Sequence, residues 1–135
     1  MSKPDIEKAI SKLPELTIFG VGIYENGRGL SKPERDSKFQ EDQESLIQSV
    51  EPFDKTCAWL PQIEKIKSIN TRHSSYGLKH IAEKDIGYIT NGVFIAAAIH
   101  CGFDFKTYPG NPNVSFNMSE KSIKLILKHR KNPFK

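Results

Sequence analysis

At 135 residues, 37% of them apolar and 27% charged, the chain has material for one hydrophobic core without disulfide or metal staples, and one domain spanning 1–135 is expected. Its formal charge of +4 is unevenly placed: residues 1–67 hold 10 Lys and Arg against 12 Asp and Glu, and residues 68–135 hold 10 against 4, which points the C-terminal half toward an anionic partner, nucleic acid first. The mixed charges of MSKPDIEKAI lack the basic-then-apolar order of a secretory signal, and no apolar run reaches the roughly twenty residues of a membrane span, so a cytoplasmic location and no membrane partner are expected.

In chain order, Ile6, Ala9, Ile10 and Leu13 recur at helical spacing behind Pro4, predicting a short helix over 4–13 that Pro14 ends. The β-branched and aromatic run LTIFGVGIY predicts a strand or hairpin near residues 16–24, with an Asn26-Gly27 turn after it. Gly20, Gly22, Gly27 and Gly29 lack the strand-to-helix context of a dinucleotide fingerprint and the Gly-Lys-Ser/Thr of a phosphate loop, so they read as turn and bend glycines. The charged stretch 30–42, broken by Pro33, reads as a polar surface loop. Leu46, Ile47 and Val50 permit a helix over about 41–50, closed by Pro52, and Trp59, Ile63 and Ile66 suggest another across 54–69, with Trp59 as a core anchor.

Ser74 or Ser75 caps a predicted amphipathic helix over 75–84, and Thr90 or Asn91 caps a second over 92–101, ended by Gly102. This helix–turn–helix outline does not make a DNA-reading motif, because GVFIAAAIHC is apolar on nearly every face, while a recognition helix presents polar side chains to base edges. It reads as the central core helix, with His100 as a core histidine. Turn formers fill 109–113, a short extended piece follows over 114–116, and Asn117 with Glu120 has capping spacing for a last helix reaching about residue 129. In it Ile123, Ile126 and Leu127 are expected to face inward, and Lys121, Lys124, Lys128 and Lys131 fall along one side before the basic tail HRKNPFK.

Two groups can carry chemistry. Arg72, Tyr76, Lys79 and His80, with His73 beside them, combine phosphate-gripping cations with a ring for a base to stack on, and in a sharper version His73 and His80 act as general acid and base on RNA. Against this stands the plain reading of a solvated helix face. The lysines of the last helix supply the second group. Cys57 and Cys101 lack partners at metal-ligand spacing and read as buried thiols, so neither a metal nor a cofactor is expected.

The segments TRHSSYGLKH, YITNGVFIAAAIHCGF and PNVSFNMS resemble a group of small, uncharacterised proteins carried on bacterial plasmids and integrating mobile elements, over about residues 70–119. The resemblance implies an accessory role in a mobile element and brings no established activity or catalytic residue with it. Taken together, the residues predict a mostly helical α+β domain. The expected function is non-enzymatic binding of nucleic acid, DNA before RNA, through Arg72, Tyr76, Lys79, His80, Lys121, Lys124, Lys128 and Lys131. One alternative is a protein–protein interaction module that inhibits a host factor through an acidic partner surface, and a second is a small ribonuclease toxin using His73 and His80.

Overall fold

Residues 91–99 are all buried, and helices on several sides and a β-hairpin pack around them. The computed structural model describes residues 2–22 and 31–131, with residues 130 and 131 through their backbone only. It is one α+β domain in which helices predominate: α1 (Ser2–Lys12), α2 (Lys32–Ile47), α3 (Val50–Trp59), α4 (Ser75–Ile86), α5 (Asn91–His100) and α6 (Glu120–Lys131). Five short strands accompany them: β1 (Leu16–Thr17), β2 (Gly20–Val21), β3 (Lys65–Asn70), β4 (Phe105–Thr107) and β5 (Val114–Met118). Among the described residues no helix is long and apolar enough to cross a membrane.

The central helix α5 starts where Thr90 accepts a hydrogen bond from Val93 N at 3.1 Å. Its small Ala96, Ala97 and Ala98 let α1, α3 and α4 approach closely. Phe94 meets Trp59 edge-on at 6.4 Å on one side and Phe116 at 6.0 Å on the other, which joins α3, α5 and β5 into one core. Trp59 anchors that core as expected, and its indole N–H donates to Asp85 Oδ2 at 2.7 Å, tying α3 to the end of α4.

The β1–β2 hairpin, paired Leu16 to Val21 and Thr17 to Gly20, lies against the first turn of α5. Gly92 N donates to Ile18 O at 3.0 Å, and a Cβ on Gly92 would fall 1.9 Å from Thr17 O, so only glycine permits this approach. From the other side Gln43 of α2 donates to Pro14 O at 2.9 Å and Leu16 O at 3.0 Å. The hairpin is shorter than the expected strand, and the Asn26-Gly27 turn lies outside the described residues.

Several expectations are corrected. Of the loop expected over 30–42, the described residues 31–42 are instead the cap and start of α2: Ser31 accepts from Glu34 N while Glu34 accepts from Ser31 N, and Pro33 sits in the first turn, where no N–H is needed. The expected helix over 54–69 is instead the end of α3, a 3₁₀ turn and β3. Pro61, unable to donate to the carbonyl four residues back, coincides with a 3₁₀ turn at Leu60–Gln62, after which β3 runs extended. Pro52 opens α3 and does not close a helix before it.

Strand β3 joins an antiparallel sheet of order β3-β5-β4, in which every residue of β5 is buried. Lys65 pairs with Met118 and Asn70 with Phe116, with an irregular register between them. Asn117 lies in this strand and does not cap α6; it accepts from Asp104 N at 2.7 Å and donates to Ile66 O at 2.9 Å. Ser119 caps α6 instead, accepting from Ser122 N at 3.2 Å. His100 is exposed, with its ring 5.5 Å from Phe53, and Leu127 is exposed as well, so neither belongs to the core as expected.

Candidate nucleic-acid interface

The turn between β3 and α4 is held by one amide. Asn70 donates to Met118 O at 3.1 Å and to Glu120 Oε1 at 3.0 Å, and its oxygen accepts from Arg72 N at 3.0 Å, an Asx turn that leaves the Arg72 side chain exposed. His73 Nε2 reaches the same Glu120 oxygen at 2.9 Å. The hydrogen bond from Asn70 is the main reason the Glu120 carboxyl sits below its usual range; it outweighs partial burial, and His73 and Lys124 add to it.

Glu120 is also the first residue of a shallow groove of about 300 Å³ along α6, lined with Lys121, Lys124, Leu125 and Lys128. The helix docks through Ser122, Ile123 and half-buried Ile126, which leaves these three lysines in solvent. Three of the four expected lysines therefore share one groove. The Lys131 side chain lies outside the described residues.

Arg72 is two residues ahead of Ser74, whose hydroxyl caps α4 by accepting from Gly77 N at 3.3 Å. Tyr76, Lys79 and His80 then project from α4 into a second, larger cleft of about 610 Å³. The other walls are Ile18 and Phe19 of the hairpin, Tyr88 and Asn91 at the entry to α5, and Pro112 and Asn113 before β5. Phe19, Tyr76 and Tyr88 are 63%, 51% and 78% exposed, so half of the six large apolar side chains exposed among the described residues gather at this one cleft.

Under the rings lies an ion pair. Lys79 is buried, donating to Glu83 Oε2 at 3.0 Å and Ile89 O at 3.2 Å, with its ammonium 5.2 Å from the Tyr76 ring centre and 5.1 Å from that of Tyr88. That is a correction: Lys79 is not a solvent-facing phosphate contact. His80 Nδ1 lies 2.8 Å from Glu83 Oε1, and its ring stands at 88° to Tyr76 with centres 4.5 Å apart. Burial pushes the Glu83 carboxyl up, but hydrogen bonds from Lys79, Ile89 N and His80, with the charge of Lys79, bring it below its ordinary value.

His73 and His80 thus serve different carboxylates on different helices, and the cleft is lined by His80 but not by His73. Phe19 and Tyr88, and the place of Asn91 in this cleft, leave no local signal in the sequence, because only the tertiary fold sets a hairpin turn against the start of α5. Among the described residues no group of His, Cys, Asp and Glu has the arrangement of a metal site. No protein-family model, curated protein or solved structure matches the chain.

Proposed function

We propose that this protein is a non-enzymatic nucleic-acid-binding accessory protein of a mobile element, which grips the phosphate backbone of DNA through Arg72, Lys121, Lys124 and Lys128. The observation that carries this reading is the α6 groove, where three exposed lysines share one lining and the only carboxylate among them, Glu120, is engaged by Asn70 and His73. The same two contacts hold the Arg72 turn against the head of that groove. A groove of net positive charge, three lysines against one carboxylate, concentrates a polyanion and takes it up with release of its counterions.

Leu125, 51% exposed in the middle of the groove, favours a second reading in which α6 docks on an acidic, partly apolar protein surface. Gel shifts with duplex and single-stranded DNA at low salt separate the two. Retarded complexes that weaken for every sequence alike in Lys124→Glu/Lys128→Glu support phosphate contact. No complex at low salt leaves the protein-partner reading in its place.

A further inference from the structure

The α6 groove accounts for a phosphate backbone but leaves unexplained why Phe19, Tyr76 and Tyr88 are held in solvent around a polar floor. We propose that the cleft between α4, the β1–β2 hairpin and the start of α5 receives an unpaired base of a single strand whose phosphates run past Arg72 onto α6. The proposal rests on the phosphate-binding reading and specifies the form of nucleic acid that reading takes.

The ligand class follows from what the cleft already satisfies. A cage of aromatic rings attracts a cation, but here Lys79 already sits against Tyr76 and Tyr88, so the preference for positive charge is met from within. Glu83 balances that charge, leaving a floor of no strong net sign, suited to a neutral ring. Two of the three Lys79 N–H bonds point at Glu83 and Ile89 O, leaving one donor. Asn91, 7% exposed, donates through its amide nitrogen to Phe19 O, Pro112 O and Asn113 Oδ1, while its oxygen is buried and without a partner among the described residues. Such an acceptor is costly to leave unpaired.

The remaining Lys79 donor, in a cleft rimmed by rings, matches an acceptor on the edge of a nucleobase, which also has two stacking faces. A volume of about 610 Å³ suits a nucleotide and not a duplex. Inside a duplex the base faces are stacked and the edges paired, so only an unpaired base enters. Tyr76 follows Arg72 by four residues, so their Cα atoms lie within about 14 Å of each other, a span that one nucleotide step and the reach of the Arg72 side chain can bridge.

The test measures fluorescence anisotropy of a labelled oligo(dT) strand of about 12 nucleotides and of a duplex of about 12 base pairs, at low salt. Wild-type protein is expected to bind the strand about tenfold more tightly than the duplex, and Phe19→Ala/Tyr88→Ala to remove that difference while duplex binding and melting temperature hold. Both rings are exposed, so the double variant folds. An iodouracil in the strand is expected to photo-crosslink to Phe19, Tyr76 or Tyr88. Equal strand and duplex affinities, a double variant that still prefers the strand, or crosslinks confined to α6 would overturn the cleft assignment while the phosphate reading stands. Displacement of the strand by micromolar thymidine monophosphate would show that the cleft takes free nucleotides, overturning the strand assignment. If neither oligonucleotide binds, both readings fall together.

Discussion

His73 Nε2 lies 2.9 Å from Glu120 Oε1, and through that contact the segment leading into α4 is fastened to the first residue of α6. Because Asn70 donates to the same oxygen, one carboxylate sets both the Arg72 turn and the head of the lysine groove.

Glu120→Gln tests this joint. The variant keeps an acceptor for Asn70 but loses the charge, so stability should fall by about 1 kcal/mol, as for a weakened charge-assisted hydrogen bond. Affinity for DNA should rise by about twofold as one repelling charge leaves the groove. The sign of the pH effect follows from the lowered carboxyl. Its contribution is present above the usual carboxylate value of 4.5 and is lost as pH falls through the depressed folded value, so wild type should lose its advantage over Glu120→Gln below about that pH. Urea unfolding of both proteins between neutral and acid pH checks it, and parallel stability curves would contradict it.

The Lys79–Glu83 pair should behave as a buried pair. Removing one partner strands the other charge, and Glu83→Gln, which leaves Lys79 facing a neutral amide, is expected to cost about 3 kcal/mol. The pair replaced together by Met and Leu should cost less than either single change. A double-mutant cycle by urea unfolding measures the coupling, and additive losses would show that the two groups act independently.

Gly92→Ala should be destabilising although alanine is the better helix former. The added Cβ meets Thr17 O at 1.9 Å, so the hairpin must move, with an expected loss of about 2–3 kcal/mol. Ile18 and Phe19 would move with it, loosening one wall of the aromatic cleft. Thermal unfolding reads the first effect, and the accessibility of a thiol placed at Phe19 reads the second.

The thiols of Cys57 and Cys101 should differ in reactivity. The Cys57 thiol beside it, with the nearby charge of Lys65, outweighs burial and brings Cys101 below the ordinary thiol value, while the same contact and burial push Cys57 up. Iodoacetamide at pH 7.5 should therefore modify Cys101 first, and Lys65→Ala should slow it. Equal labelling of both residues by mass spectrometry would contradict this account.

Much of the helical plan was legible because it is local. The caps at Ser74 and Thr90 and the apolar run of α5 act within a few residues of themselves. The capping box Ser31-Lys32-Pro33-Glu34 was equally local, but Pro33 read as a breaker although it stands in the first turn, where proline is tolerated. Strand β3 was hidden by Trp59, Ile63 and Ile66 at helical spacing, and its conformation is decided by pairing with β5, some fifty residues on. The same limit applied to the site. Arg72, Tyr76 and the α6 lysines stand out by residue type, whereas Asn91 meets Phe19 O across 72 positions, a relation no local pattern records.

The salt dependence of DNA binding tests the central claim most directly. Four phosphate contacts from Arg72, Lys121, Lys124 and Lys128 give a log–log slope of affinity against salt of about −3 to −4, and Lys124→Glu/Lys128→Glu should flatten it by about 1.5 to 2 while weakening all sequences alike. A slope near zero, or one unchanged by reversing both lysines, would contradict the account.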